Sequence, residues 1–565
     1  MWTSELPPFV PFFVAALLAL AARGWLRALI MIATPILGGL HLWFGVPEGT
    51  QVSMPLLGFD LVLMRVDRLS LLFGYLFHLA ALIAMIFALH VRGRTETVAG
   101  FLYAGSALGA VFAGDLITLF IFWELLAVTS VFLIWARKTE RAMRAGQRYL
   151  VIQVISGVLL LAGALVHYHD TGSLAFDFIG LDGLAGTLIL LAFGIKCAFP
   201  FLHNWLTDAY PEATPTGTVF LSAFTTKVAV YCLARGFPGT DILVYVGAAM
   251  TCFPIFFAVI ENDLRRVLAY SMINQIGFMV CGVGIGTALA LNGAVSHAFN
   301  DVIFKGLLFM SMGAVLYRTG EMNGSHLGGL YKTMPKTTIL CIVGASSISA
   351  FPLFSGFVSK SMVMTAMIEE GYDYLWLMLL FASAGVFHHA GIKIPYFAFF
   401  AHDSGIRTQE APRNMLIAMS IAAVLCIFIG TQPQYLYGLL PWEVDYWPYD
   451  TTHVLAQLQL LFFSALAFVW LNKAGLYPPE LPSVNLDAEW VYRRLLPAGL
   501  RSAERVVMPA WRGFNAAFSN RANTLMVLLF RHHGPSGTMA RTWPTGSMAL
   551  WVAVLLAMFV LAYYL

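Results

Sequence analysis

Charged side chains interrupt several stretches of this sequence that are otherwise apolar enough and long enough to cross a lipid bilayer. A charge near the middle of a membrane costs about 2.5–3.5 kcal/mol on insertion scales, so such residues are kept mainly where they bind or move ions. Their recurrence at ordered positions predicts a path for ions or protons through the protein interior. The charged residues in question are Glu124, Lys196, Lys227, Lys305, Lys360 and Lys393.

The composition is typical of a multi-pass membrane protein. Of the 565 residues, 59% are hydrophobic and 11% are charged, and the mean hydropathy is +0.76. A soluble domain carries about 25% charged residues. The first apolar run, residues 9–22, lacks a preceding basic region and a small-residue cleavage site, which predicts a retained helix and not a signal peptide. We therefore expect an all-α polytopic membrane protein with no nucleic-acid partner.

The apolar stretches and the loops between them predict a topology. About 20 apolar residues span a bilayer core, and by this rule the sequence contains about sixteen transmembrane helices. Basic residues cluster in alternate loops, such as 137–148, whereas the intervening loops carry acidic residues such as Asp177 and Asp450. Basic loops face the cytoplasm. The alternation therefore predicts a bacterial inner-membrane protein with both termini on the periplasmic side.

The spans group into segments, and one of these is polar. Residues 473–545 mix apolar, aromatic and basic side chains and predict an amphipathic helix on the cytoplasmic surface. Pro497 and Pro509 are expected to kink or divide that helix. The alternative is a plain linker to the last span. The predicted segments are 1–96 (N-terminal helices), 97–236 and 240–400 (two inverted five-helix repeats), 401–472 (further core helices), 473–545 (the amphipathic segment) and 546–565 (a terminal span).

The two repeats rest on the spacing of the buried lysines. Lys196 and Lys227 are 31 residues apart, and Lys360 and Lys393 are 33 apart. A Phe-Pro pair lies near the first lysine of each couple, and a proline breaks a membrane helix only where the segment is buried or lines a cavity. Broken helices at matching positions in two halves indicate a transport site. Lys393 could alternatively reach the membrane surface from a helix end.

The chemistry of these residues suits proton transfer. A buried lysine loses its hydration, which favours the neutral amine, and a nearby carboxylate such as Glu124 favours the ammonium form. His297, Asp301 and Lys305 follow at four-residue intervals and so share one helix face. Histidine is suited to a link between the two halves, although His297 could equally be a hydrogen-bonded histidine of the bundle.

No cofactor is expected. The six cysteines, at positions 197, 232, 252, 281, 341 and 426, lie in apolar segments without Cys-x-x-Cys or metal-ligand spacing. They are best interpreted as small hydrophobic residues. The chain alone is therefore expected to carry no catalytic chemistry of its own, although it could work within a redox complex.

Several motifs spread over the chain together indicate a family: Phe122–Leu125, Gly194–Lys196, His203–Thr216, Lys227, Ala269–Phe278, His297–Lys305 and Phe354–Lys360. Through these motifs, residues 60–430 resemble the antiporter-like subunits shared by Mrp-type cation/proton antiporters and respiratory complex I, and among these the Mrp D-like proteins most. The resemblance implies a proton or cation path through the eight residues named in this section, with Lys360 on a broken helix. It also implies neighbouring membrane subunits and a lateral helix like that of the distal complex I subunit, though shorter.

The chain departs from the family at two positions where relatives often have histidine. Gln275 cannot titrate, so a proton passing there would need water. Asp301 can titrate but adds a negative charge near Lys305. These departures imply a different central link or a different cation.

The sequence therefore predicts a proton-conducting subunit that exchanges protons for Na+, K+ or another monovalent cation within a multi-subunit membrane complex. Within the same fold, the complex could instead be a dehydrogenase, a hydrogenase or an inorganic-carbon uptake system. A structural scaffold with a vestigial ion path is the alternative from a different class.

Overall fold

A computed structural model describes residues 4–56, 58–443, 445–482, 485–540 and 544–565, the side chain of Val506 excepted. The parts of the predicted segments 1–96, 401–472 and 473–545 that fall on residues 1–3, 57, 444, 483–484 and 541–543 lie outside the described residues. The chain forms two compact units, residues 1–485 and residues 486–565. The prediction of an all-α membrane protein is confirmed.

Unit 1 contains nearly all of the helices, and most are long and apolar. In chain order they are α1 Val10–Ala21, α2 Gly24–Gly45, α3 Arg68–Ala88, α4 Arg94–Phe112, α5 Leu116–Trp135, α6 Glu140–Thr171, α7 Gly183–Lys196, α8 Asn204–Ala209, α9 Gly217–Ala223, α10 Thr225–Gly236, α11 Ile242–Ile260, α12 Leu264–Ile285, α13 Ala288–Thr319, α14 Pro335–Ile348, α15 Ser355–Glu369, α16 Asp373–Val386, α17 Lys393–Pro395, α18 Arg413–Thr431, α19 Gln434–Tyr437 and α20 Thr451–Lys473.

The count of sixteen spans is not confirmed. Among the described residues, twelve helices are long and apolar enough to cross a membrane, and three further apolar helices, α1, α7 and α14, are shorter. One reason is that the predicted span 335–371 is interrupted between α14 and α15. A window of apolar residues does not reveal such an interruption, because the residues that form it are themselves apolar.

One hairpin interrupts the helical pattern. Strand β1 (Gln51–Leu56) pairs antiparallel with β2 (Phe59–Arg65), and the register shifts between Val52 and Ser53. The Asp115 carboxylate accepts a hydrogen bond of 2.6 Å from the Val62 amide, which ties β2 to the start of α5. The hairpin therefore helps to fix where the first of the site-bearing helices begins.

The two halves of unit 1 share backbone features. Asp115 forms an isolated β-bridge with Ala175, and Asp263 forms one with Asn323. Each bridge encloses two long helices, α5 and α6 or α12 and α13. Each aspartate also caps the first of these helices through backbone amides.

The helix breaks repeat in the same way. Ala198 and Phe201 have φ of 61° and 67°, and Ala350 and Leu353 have φ of 57° and 74°. A left-handed conformation is unfavourable by roughly 1–2 kcal/mol for a residue with a side chain, so the surrounding packing must enforce it. Each break ends a helix, α7 or α14, inside the bundle and leaves its last carbonyls facing the interior.

Unit 2 contains α21 (Leu496–His533) and α22 (Thr545–Tyr564), preceded by a π-helical turn over Val491–Leu495. Of the prediction that the prolines kink or divide the amphipathic helix, the division is wrong, because α21 continues through Pro509. Pro497 lies in the first turn, where its missing amide would have no partner in any case. The aromatic rings of Trp511, Phe514 and Phe518 stack in a row at centroid distances of 6.0 and 6.4 Å, and all three are exposed.

Candidate functional site

Glu124 lies on α5 against the backbone of α6. The side chain is half-buried, and its Oε1 atom is buried without a hydrogen-bond partner among the residues described. A Cβ atom added to Gly157 would lie 1.4 Å from that oxygen. Gly157 therefore makes the space in which the Glu124 carboxylate sits.

Lys196 is the last residue of α7, where the first break begins. Its buried Nζ donates a 2.6 Å hydrogen bond to the Trp123 carbonyl and lies 4.3 Å from the centre of the Trp123 ring. Lys196 and Glu124 interact electrostatically, but within the described chain their charged atoms do not approach to 4.0 Å. The two residues are therefore coupled without forming a direct ion pair.

Lys227 and Asp301 form a fully buried ion pair across the two halves. The Nζ atom lies 2.6 Å from Oδ2 of Asp301, and both side chains are inaccessible to solvent. The same Nζ donates a 3.1 Å hydrogen bond to the Ser222 carbonyl, next to the kink between α9 and α10. The departure at position 301 thus supplies the counter-ion of Lys227.

Asp301 also acts on two further lysines. Lys305, one turn later on α13, donates a 2.8 Å hydrogen bond to Ser271 Oγ and is attracted by Asp301. Lys360 on α15 is attracted by the same carboxylate. The Asp301 carboxylate is therefore a negative charge that attracts three buried lysines.

Lys360 reaches back across the second break. Its Nζ donates a 3.3 Å hydrogen bond to the carbonyl of Ile348, the last residue of α14, and lies 4.9 Å from the centre of the Phe278 ring. The carboxyl end of a helix favours a cation. Lys196 precedes its break and Lys360 follows its own, so the two lysines are not at equivalent positions.

His297 is held by polar side chains on both sides. Its Nε2 lies 3.1 Å from Gln275 Oε1, and its Nδ1 lies 2.9 Å from Ser359 Oγ. Gln275 donates from Nε2 to Asn274 at 2.7 Å, which turns its oxygen toward the histidine. The arrangement assigns the proton of the neutral ring to Nε2, with Ser359 donating to Nδ1. Gln275 therefore orients His297 although it cannot titrate.

The structure places seven of the eight predicted residues in unit 1 in two groups: Glu124 interacts with Lys196, and Lys227, Asp301, Lys305, Lys360 and His297 interact with one another. We call these seven residues the central row. Lys393 lies apart from it. Its Nζ donates 2.7 Å hydrogen bonds to the carbonyls of Val259 and Glu261 and lies 2.8 Å from Oε1 of Glu480.

Sequence reasoning missed the polar groups between the charges. Ser271 and Ser359 contact Lys305 and His297, and Asn300 donates to Ser359 at 3.1 Å. Ser359 directly precedes Lys360, and Asn300 directly precedes Asp301. A serine or asparagine directly before a buried charged residue would have indicated these polar groups in the sequence.

Arginines hold the segment after the first break. Arg148 forms a bidentate pair with Asp208 at 2.7 and 3.0 Å. The buried Arg265 donates to the carbonyls of Pro211, Ala213 and Thr214 at 3.0–3.2 Å. The Arg265 contacts satisfy carbonyls in the connection between α8 and α9, and both arginines help to fix the chain between the break and Lys227.

A cavity of about 430 Å³ opens beside Lys360, between α15, α16 and α20. Thr365 and His453 line it and approach each other at 3.2 Å. His453 also contacts Asp450. The cavity extends from Lys360 to Glu369 and His453.

The chain is similar to known proteins. Residues 113–387, which include the whole central row, match the family described as NADH:quinone oxidoreductase/Mrp antiporter, TM. This match confirms that the chain resembles antiporter-like membrane subunits. One Na(+)/H(+) antiporter subunit of Alkalihalophilus pseudofirmus is 30% identical over 451 residues, which cover 69% of this chain.

Another relative of this antiporter-like chain is hydrogenase-4 component B of Escherichia coli, 26% identical over 483 residues, which cover 75% of this chain and 72% of that protein. The match to the Alkalihalophilus antiporter subunit spans only 55% of that protein. A chain in the structure of the membrane-bound sulfane sulfur reductase, an archaeal respiratory membrane complex, has the same fold, with a TM-score of 0.72 and 23% identity over 98% of this chain and 100% of that chain.

Proposed function

We propose that this protein is a proton-conducting subunit of a multi-subunit membrane complex that exchanges protons for a monovalent cation. The observation that carries the proposal is Asp301, the carboxylate shared by Lys227, Lys305 and Lys360. In a medium of low dielectric constant, three ammonium groups around one carboxylate repel one another strongly. The charge state of each lysine therefore depends on the others.

That dependence gives the central row a way to move a proton. The lysine that pairs with Asp301 is stabilised as ammonium, and its neighbours are driven toward the neutral amine. When a proton leaves one lysine, the repulsion on the next is reduced and that lysine can accept a proton. Glu124 and Lys196, coupled without a direct pair, would modulate the entry to the row, and Lys360 beside its cavity would terminate it.

The proposal includes a location and partners. We place the arginine-rich loops in the cytoplasm and both termini on the periplasmic side of a bacterial inner membrane. Named relatives are subunits or components of larger systems, which supports other membrane subunits as partners. The transported ions would be H+ with Na+ or K+.

One observation favours a second candidate, a proton-translocating subunit of a hydrogenase or a dehydrogenase related to complex I. The similarity to hydrogenase-4 component B covers about three quarters of both chains, 75% and 72%, a more even coverage than that of the Alkalihalophilus antiporter subunit. In that case the same central row would move protons, with a redox partner as the source of energy.

The variants Lys196→Ala and Lys360→Ala, each in the assembled complex, test the shared core of both candidates. We expect either variant to lower cation/proton exchange, or proton-coupled turnover, by at least about a hundredfold, as for the loss of a proton-transfer group. Lys332→Ala, which removes an exposed lysine paired with Asp403 at 2.7 Å, is the control. Full activity in both test variants would exclude the central row as the path.

A further inference from the structure

Lys393 and the groups around it have no role in the central row. Lys393 lies beyond the family match at residues 113–387, and so does the segment after α20 that contacts it. Its side chain is fully buried, and its partner Glu480 comes from the segment after α20. Burial raises the pKa of the Glu480 carboxyl, while Lys393 opposes that rise. The pair is therefore a buried acid and base that the mechanism so far leaves unused.

A polar cavity adjoins this pair. It has a volume of about 590 Å³ and is lined by Glu261, Arg266 and Pro482, among others from the arginine-rich face. Glu261 joins the cavity to the pair, because its carbonyl accepts the hydrogen bond from Lys393. Its carboxylate lies 3.8 Å from Arg266. Water in the cavity would thus reach groups that contact Lys393.

His389 lies four residues before Lys393 in the chain. It is fully buried in a π-helical stretch, Phe387–Ile392, that directly precedes Lys393. Neither ring nitrogen meets hydrogen-bond geometry with any described residue, although the Gly385 carbonyl one turn earlier interacts weakly with the ring. Lys305 of the central row, His388 and Lys393 all act electrostatically on the ring. π-Helical turns inside α-helices are frequent at functional sites.

We propose that His389 links Lys393 and Glu480 to Lys305, which makes the polar cavity on the arginine-rich face a second proton inlet to the central row. A proton from cavity water passes to the Glu480–Lys393 pair. The Lys393 ammonium then loses an N–H proton, through an intervening water molecule, to a nitrogen of the neutral His389 ring. The imidazolium gives its other N–H proton, again through water, to the neutral Lys305 amine, which becomes ammonium. One positive charge moves inward, and His389 returns to the neutral form with its proton on the opposite nitrogen.

This proposal rests on the proposed function of the central row and extends it. Its main competitor is a purely structural role, in which Lys393 and Glu480 only anchor the segment around residue 480. In that case the region around His389 would be dry, and replacing the ring would affect packing alone. Water access to position 389 therefore distinguishes the two roles without a measurement of transport.

The first experiment measures that access in the assembled complex. His389→Cys and His78→Cys are treated with methanethiosulfonate ethylammonium, and modification is scored by mass spectrometry of the peptide around each position. His78 is a suitable control because it is a buried histidine that contacts the Gly74 carbonyl at 2.8 Å and lies outside the row. We expect modification at position 389 and at least about tenfold less at position 78. Equal protection of both would overturn the inlet.

The second experiment compares exchange in His389→Gln, His78→Gln and Lys360→Ala. We expect His389→Gln to lower exchange at least about tenfold, since it removes a proton-transfer group, while His78→Gln stays near the unmodified protein. Full exchange in His389→Gln together with loss in Lys360→Ala would overturn the inlet but leave the central row intact. Full exchange in Lys360→Ala would overturn the proposed function itself.

Discussion

At the scale of single residues, Asp301 decides how the central row is charged. The aspartate pairs with Lys227 at 2.6 Å inside the protein. Taking one member from a buried pair leaves an uncompensated charge and costs about 3–5 kcal/mol. We therefore expect Asp301→Asn to lower the unfolding free energy of the purified complex by about that amount, and to abolish exchange.

The double variant Lys227→Met, Asp301→Leu separates stability from transport. Replacing both charges of a buried pair by apolar groups is often neutral or stabilising, so the double variant should be more stable than Asp301→Asn. It should stay less stable than the unmodified protein, because Lys305 and Lys360 also lose the attraction of Asp301. Exchange should remain lost. If Asp301→Asn unfolds and transports like the unmodified protein, the pair does not carry the charges assigned to it.

Gly157 allows Glu124 to be displaced without being removed. Its added Cβ would meet the end of the Glu124 side chain at 1.4 Å, and this flexible carboxylate can move where a rigid backbone could not. We expect Gly157→Ala to assemble normally and to lower exchange by about tenfold, which corresponds to about 1.4 kcal/mol of lost coupling to Lys196.

Two comparisons test that explanation. Gly306→Ala is the matched control, because its Cβ would meet no atom within 4 Å. Glu124→Gln combined with Gly157→Ala should be no worse than Glu124→Gln alone, since both changes act on one carboxylate. Additive losses in the double variant would show that Gly157 acts through something other than Glu124.

The identity of the buried charges could be predicted from the sequence, but their partners could not. An apolar stretch makes a lysine conspicuous by itself. The contact between Lys227 and Asp301 joins residues that are far apart in the chain, and nothing local to either position indicates it. The same holds for Lys393. Its partner Glu480 lies in a loop, and an analysis of membrane spans does not consider loop residues.

At the scale of elements, the two helix breaks were foreseen from their Phe-Pro pairs, whereas their geometry was not. The left-handed residues are Ala198 and Ala350, together with Phe201 and Leu353, and none is a glycine that would have marked the site. Tertiary packing imposes these conformations against local preference. Rules based on local propensity cannot identify residues whose unfavourable conformation is enforced by packing.

The start of α3 offers a test of an element's own stability. Asp67 caps the helix by accepting a 2.8 Å hydrogen bond from the Ser70 amide, and it pairs with Arg235 at 2.7 Å. Asparagine caps a helix about as well as aspartate, whereas alanine costs about 0.5–2 kcal/mol. We expect Asp67→Ala to be less stable than Asp67→Asn by roughly 1 kcal/mol in unfolding of the purified complex.

The same residue predicts a dependence on pH. Burial alone would raise the pKa of Asp67, but the Arg235 charge and the Ser70 amide outweigh it and hold the pKa below its usual value. A lowered pKa means that the contribution to stability is complete above the unfolded pKa of about 3.9 and is lost as the pH falls through the folded value. Asp67→Asn should lack this part of the acid-induced loss; an identical acid profile would contradict the ion pair.

At the scale of the whole molecule, composition was sufficient to predict a helical multi-pass protein, but it could not count the helices. The short helices α7 and α14 and the breaks that follow them confuse any rule based on windows of about 20 residues. The hairpin of β1 and β2 was also missed, because its short alternating strands lie between long apolar helices.

The division into two units gives the last prediction. Every residue assigned to the central row and to the second inlet lies in unit 1, residues 1–485. Unit 2 exposes the aromatic row of Trp511, Phe514 and Phe518 on α21, and such an apolar face is suited to contact with a membrane surface or a neighbouring subunit.

We expect a chain ending at Asn485 to insert into the membrane and to keep the modification pattern at position 389, but to recover far less of its partner subunits on purification. The full-length variant Trp511→Ala, Phe514→Ala, Phe518→Ala should show the same loss, because it removes the aromatic row and leaves α22 in place. Normal recovery of partners by both proteins would mean that association depends on unit 1 alone.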